Sequence, residues 1–110
     1  MQKEVNFDIG FSDSEILSYC REQEKLIVVV KMWNDKRIEI SFRGIVGCSD
    51  YGIGDISALV EEDRTTELFE KILSEVYEKL PSQHPYHLYQ FLNLDDSPCL
   101  EVVAETIKIS

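Results

Sequence analysis

The chain has few of the features that mark a membrane, secreted or nucleic-acid-binding protein. Its longest apolar block, Leu26 to Val30, is strand-sized and far short of the roughly 20 residues of a membrane span. The N-terminal residues hold no apolar core of a secretory signal, so none is expected. Residues 51–110 contain only four Lys or Arg, too few to offset phosphate charge. We therefore expect neither a membrane nor a nucleic-acid partner.

Cysteine is scarce, and the usual metal and phosphate motifs are missing. Cys20, Cys48 and Cys99 are odd in number and widely spaced, which is typical of free thiols in a reducing compartment and predicts a cytoplasmic protein. No zinc, calcium-loop or phosphate-loop pattern occurs, and the spacing of His84 and His87 is not a recognised zinc pattern. No complete catalytic motif is present either. We expect no metal, no cofactor and no enzymatic activity.

Negative charge is abundant and uneven along the chain. The formal net charge is −10. Residues 1–50 hold nine Asp or Glu and seven Lys or Arg, whereas residues 51–110 hold twelve and four. Such a field attracts basic surfaces and speeds their encounter. The charge pattern therefore favours a basic protein as the partner.

The first half of the chain is patterned as β-strands. Alternating apolar residues in Lys3–Ile9 predict a half-buried strand. Leu26–Val30 is apolar and β-branched, and Arg37–Arg43 alternates with its apolar residues on one face. The residues Trp33–Lys36 between these two runs are typical of a turn. We therefore predict a hairpin.

The end of the chain predicts a second pair of strands. Tyr86–Leu94 and Leu100–Ile109 each alternate and are separated by a polar turn. The alternation of Leu100–Ile109 changes phase near its middle. A β-bulge near Glu105 would explain that change.

Residues 66–80 are patterned as an amphipathic helix. Thr65 or Thr66 can cap its beginning and Pro81 stops it. Its apolar residues follow helical spacing and form one stripe: Leu68, Phe69, Ile72, Leu73, Val76, Tyr77 and Leu80. We therefore predict one α+β domain over residues 1–110. It is expected to have a mainly antiparallel sheet of about five to seven strands, with this helix on one face.

The glycine-rich segment 44–54 is predicted to be an irregular loop. It carries acidic and aromatic residues, and loops on a rigid scaffold are a common place for function. Aromatic anchors surrounded by polar groups are typical of interface centres. The predicted partner-binding residues are Asp50, Tyr51, Asp55, Glu61, Glu62 and Asp63.

Four stretches of the sequence resemble small bacterial immunity proteins of polymorphic and contact-dependent toxin systems. These stretches are Phe11-Ser-Asp-Ser-Glu-Ile16, Leu26–Val30, Arg37–Phe42 and Leu100–Ile109. The resemblance implies a small, acidic, cytoplasmic protein that blocks a toxin by binding it. It carries over no functional residue, because the folds of this class are diverse.

The leading hypothesis is thus a non-enzymatic inhibitor of a basic toxin domain. A nuclease fits best, since its phosphate-binding groove is positive and an acidic protein can occupy it. The alternative is a small ligand-binding or enzymatic domain with a pocket beneath the loop 44–54, near Cys48 and Tyr51. A third hypothesis is a homo-oligomer or structural subunit that uses a free sheet edge or an exposed apolar strip.

Overall fold

The computed structural model describes residues 2–4, 11, 13–62 and 86–109, which form two antiparallel sheets of five strands each. The first sheet has the order β1-β7-β8-β9-β5 and the second β10-β4-β3-β2-β6. The strands are β1 (Gln2–Glu4), β2 (Ser14–Glu22), β3 (Lys25–Lys31), β4 (Arg37–Arg43), β5 (Gly47–Asp50), β6 (Asp55–Ile56), β7 (Ala58–Glu62), β8 (His87–Leu92), β9 (Pro98–Ala104) and β10 (Thr106–Ile109).

The core lies between the two sheets. Phe42 on β4 meets two aromatic rings of β8 in the opposite sheet, with ring centroids 5.3 Å from Tyr89 and 6.1 Å from Phe91. All three side chains are buried. Alternation along each strand sends one side chain in two towards this core. The sheets therefore pack face to face as a sandwich.

The predicted hairpin over Leu26–Val30 and Arg37–Arg43 is confirmed. β3 pairs with β4 in register from Lys25 opposite Arg43 to Lys31 opposite Arg37. Residues 32–36 form the turn, in which the Met32 amide donates to the carbonyl oxygen of Lys36. The alternation along β4 places apolar side chains inward and charged ones outward, as the period of two predicts.

The change of phase near Glu105 is a corner at which the chain passes from one sheet to the other. β9 belongs to the first sheet and β10 to the second, with Glu105 alone between them. The chain also changes sheets at residues 44–46, between β4 and β5. The Glu105 amide donates to the Arg43 carbonyl oxygen and the Val46 amide to that of Val103. These bonds join the two corners into one bent strand pair.

The prediction of an α+β domain was wrong. The described residues contain no helix and form an all-β structure, and the face of each sheet that lines the core is covered by the other sheet. The predicted helix over residues 66–80 lies outside the described residues, as does most of the predicted first strand. Within the described residues, the main error in detail concerns residues 44–54. Their glycines predicted an irregular loop, yet residues 47–50 form β5, an edge strand of the first sheet.

Candidate partner-binding surface

A loop over residues 51–54, which leads into the short strand β6, crosses one end of the sandwich. It is tied to the first sheet by the Tyr51 amide, which donates to the Cys99 carbonyl oxygen at 2.9 Å. It is tied to the second sheet by its Gly54 carbonyl, which accepts from the Ile16 amide at 2.9 Å. Ile53 packs against the core from within the loop. The loop is therefore anchored on both sheets, with polar residues left on its outer side.

Asp50, at the end of β5, joins the two sheets through its carboxylate. One oxygen accepts a hydrogen bond from the Tyr19 hydroxyl of β2 at 2.8 Å, and the other accepts from the Gly52 amide at 2.7 Å. The bonds from the Gly52 amide and the Tyr19 hydroxyl lower the pKa of Asp50. The carboxylate is therefore charged at neutral pH and fixed in position.

Tyr51 presents a fixed aromatic ring to solvent. Its side chain is 59% exposed. Desolvation of its hydroxyl group and a hydrogen bond to the Glu101 carboxylate raise its pKa. That carboxylate also accepts a 3.0 Å bond from the Gln90 side-chain amide. An exposed ring held at its hydroxyl end is suited to act as a contact anchor at an interface.

The turn between β8 and β9 adds two exposed carboxylates at the same end of the molecule. The Asn93 side-chain oxygen accepts from the amides of Asp95 and Ser97, which shapes the turn. Ser57, between β6 and β7, donates from its hydroxyl to the Asn93 carbonyl oxygen at 3.0 Å. The turn exposes Leu94 by 72% of its surface. We name this surface the acidic end, and it consists of Asp50, Tyr51, Asp55, Leu94, Asp95 and Asp96.

Charge is segregated in the described part of the chain. Residues 44–62 and 86–107, which supply four strands of the first sheet, contain eight Asp or Glu and no Lys or Arg. Residues 13–43, which form most of the second sheet, contain six Asp or Glu and six Lys or Arg. The acidic end belongs to the first of these groups. The segments that form the acidic end therefore contribute no positive charge, while Arg21 of β2 in the other sheet acts on Cys48 beside Asp50.

The predicted partner-binding residues do not all lie together. Asp50, Tyr51 and Asp55 lie at the acidic end. Glu61 and Glu62 lie near the opposite end of β7, three strands away from β5, or roughly 14 Å across the sheet. The remaining predicted residue, Asp63, is outside the described residues.

Local contacts also distinguish the two glutamates on β7 from the acidic end. Glu61 contacts the His87 Nδ1 atom at 3.1 Å, and Glu62 is 4% exposed. The residues predicted from the sequence did not include Leu94, Asp95, Asp96 or Tyr19. The sequence shows the polar turn that carries Asp95 and Asp96, and it shows the tyrosine at position 19. Only strand pairing brings these residues close to Asp50.

An open depression of about 420 Å³ lies beside the β2–β3 turn, away from Tyr51. It is lined by charged and polar residues, Glu22, Gln23, Glu24, Lys25 and Arg43. It differs from the apolar pocket predicted near Cys48 and Tyr51 under the alternative hypothesis. In the described ranges, no group of three or more His, Cys, Asp or Glu side chains is placed to hold a metal ion.

Cys48 is half-buried and lies two residues before Asp50 on β5. Burial and the neighbouring Asp50 carboxylate raise its pKa, against the opposing effect of Arg21. Burial also raises the pKa of Cys99. Thiols with raised pKa values are protonated at neutral pH and are poor nucleophiles.

No family model, curated protein or solved structure matches this chain. The resemblance to immunity proteins therefore stays a prediction from the sequence. No helix with the length and apolar character of a membrane span occurs in the part of the chain that the structure describes.

Proposed function

We propose that this protein is a non-enzymatic inhibitor that binds a basic toxin domain, namely a nuclease, through its acidic end. The observation that carries the proposal is the complete lack of Lys and Arg in residues 44–62 and 86–107 around an exposed Tyr51 and Leu94. Carboxylates around apolar anchors match a partner that presents Lys and Arg around an apolar contact.

The acidic end would act by occupying the groove that binds nucleic acid. Such a groove concentrates positive charge, and four carboxylates at one end of the sandwich compete with phosphates for it. Long-range attraction raises the association rate, whereas buried apolar anchors mainly set the dissociation rate. The proposal places the protein in the cytoplasm, and its three cysteines are free thiols.

The first test measures association with the purified protein that is encoded next to this one. We expect the association rate to fall as salt rises from about 0.05 to about 0.5 M, because exposed charges are screened. The double substitution Asp95→Asn and Asp96→Asn should lower the rate at low salt by several-fold or more. The side chains of both residues are exposed, and Asn tolerates the positive φ of Asp96.

A matched control separates a local effect from the change in net charge. Glu22→Gln and Glu24→Gln remove the same charge from the β2–β3 turn, which is also exposed. The control variant should associate at nearly the rate of the unmodified protein. Equal rates for both double variants would remove the acidic end from the mechanism. Lack of binding to the protein encoded next to this one, together with lack of a salt-sensitive basic partner in lysate, would contradict the inhibitor proposal as a whole.

A further inference from the structure

Four charged side chains form a row across the outer face of the second sheet. The row crosses four neighbouring strands, with Glu15 opposite Asp55 on β6, Glu15 opposite Lys31 on β3, and Lys31 opposite Arg37 on β4. The residues that precede or follow them along the strands point into the core: Ser14, Ile16, Val30, Met32 and Ile56 are buried. By alternation, the charged row therefore points away from the core.

The order of charges along this row is negative, negative, positive, positive. Opposite charges directly across strands stabilise a sheet, whereas the like charges of Glu15 and Asp55 destabilise it. Lys31 also contacts Asp35 at 3.4 Å, but both side chains of that pair are substantially exposed. An exposed pair of this kind contributes little. The two ends of the row, Asp55 and Arg37, remain about 14 Å apart and cannot pair within one chain.

A row in this order is complementary to itself. Consider a two-fold axis that runs parallel to the strands, lies in the interface and is midway between β2 and β3. Rotation about this axis places the acidic half of one copy over the basic half of the other. Asp55 then faces Arg37 of the second copy, and Glu15 faces Lys31 of the second copy. An interface of this kind is isologous, because each contact occurs twice.

The same rotation uses the single tryptophan of the chain. Trp33 lies in the β3–β4 turn, next to the basic half of the row, and is 63% exposed. The rotation carries it over the beginning of β2 in the other copy, beside Asp13. Tryptophan is enriched among the residues that contribute most to interfaces, and its indole N–H can donate to a carboxylate.

We infer that the outer face of the second sheet binds a second copy of this chain, with the row of Asp55, Glu15, Lys31 and Arg37 pairing antiparallel to itself and Trp33 at its edge. Exposed ion pairs are individually weak, so the dimer is expected to be favoured by high protein concentration and low salt. The inference rests on strand register and does not depend on the toxin-binding proposal.

The test uses two charge-reversal variants. Each should weaken the dimer when it is alone, and the two should bind each other when they are mixed. Arg37→Asp places Asp against Asp twice in its own dimer, and Asp55→Arg places Arg against Arg twice. Each variant alone should dimerise at least about tenfold more weakly than the unmodified protein, because like charges then meet across the interface. In an equimolar mixture both contacts are attractive again. A heterodimer should therefore form, and sedimentation with one variant fluorescently labelled would detect it.

Controls on the same face keep the result specific. Glu39→Arg and Arg43→Asp make the same charge reversals on β4 outside the row, and both variants should dimerise as the unmodified protein does. A protein that stays monomeric up to about 1 mM at low salt would overturn the inference, whatever the variants do. Dimers that persist in both Arg37→Asp and Asp55→Arg would overturn it equally. Both measurements are made without the toxin, and Asp95 and Asp96 lie outside the row, so the two proposals can fail separately.

Discussion

At the scale of single residues, hydrogen bonds to Asp50 combine structural and electrostatic effects. The Tyr19 hydroxyl reaches Asp50 from the opposite sheet, and the Gly52 amide holds the second carboxylate oxygen. A carboxylate whose pKa is lowered in the folded state stabilises that state above the ordinary carboxyl pKa of about 4. That stabilisation is lost as the pH falls through the lowered value. The same interactions keep a negative charge at the acidic end throughout the neutral range.

Tyr89 leads to a prediction on alkaline stability. Its ring is 3% exposed and packs on Phe42. Burial, with a smaller effect of the Glu61 carboxylate, raises its pKa from 10.0 to about 12. The unfolded chain releases this proton at about pH 10, whereas the folded chain retains it. The folded state therefore loses stability between about pH 10 and 12, by an amount on the order of 2 kcal/mol.

The measurement is urea unfolding from pH 8 to 12 for the unmodified protein and for Tyr89→Phe. The phenylalanine variant should lose this part of the pH dependence, because it has no hydroxyl to ionise. The other tyrosines are shared by both proteins and cancel in the comparison. Parallel stability curves for the two proteins would show that Tyr89 ionises at its ordinary pKa.

At the scale of the strands, the corners at which the chain changes sheets depend on particular backbone conformations. Gly44 follows β4 and has φ of +66°, which is the left-handed region that favours glycine. A Cβ atom at this position would lie 2.7 Å from the Cγ atom of Glu105, in the neighbouring corner. Two corners can thus approach closely because one of them has no side chain.

Gly44→Ala should therefore destabilise the protein by about 1 to 2 kcal/mol, through the left-handed backbone and the contact with Glu105. Adding Glu105→Ala should recover the steric part and leave the backbone part. Gly54→Ala is the control, because a Cβ atom there has nothing within 4 Å and φ is not positive. Chemical denaturation of the four proteins gives the comparison. Equal stability of the Gly44→Ala and Gly54→Ala variants would contradict the assignment of strain to this corner.

At the scale of the whole molecule, one core holds the two sheets together, and the acidic end and the charged row lie on their surface. Phe42 belongs to the second sheet and is fully buried against two aromatic residues of the first. Asp55 belongs both to the acidic end and to the charged row. Self-association and partner binding are therefore expected to compete for this residue.

Phe42→Ala should reduce the free energy of unfolding by about 3 to 5 kcal/mol, the usual cost of removing a buried phenylalanine. Because both sheets share this core, circular dichroism and amide NMR signals from both sheets should report a single transition at lower urea concentration. Val29→Ala, half-buried on the outer face of β3, should cost much less. Separate transitions for the two sheets would show that they do not share one cooperative core.

Sequence periodicity was most reliable where one strand face is buried and the other is exposed. Arg37–Arg43 meets this condition, and its hairpin with Leu26–Val30 was correctly predicted. The phase change in Leu100–Ile109 was also visible, but a bulge and a change of sheet produce the same pattern. The segment 44–54 was misinterpreted because glycines occur both in loops and at sharp corners between short strands.

The sequence by itself determined the acidic balance, the alternation of the longer strands and the β3–β4 hairpin, because each depends on neighbouring residues. Tertiary structure decided which distant residues share a surface. Pairing of β6 with β2 places Asp55 beside Glu15, and the Tyr19–Asp50 bond joins residues 31 positions apart. Tertiary structure also decided that a second sheet covers the core. Strand register and sheet packing minimise free energy over the whole chain, so local patterns cannot specify them.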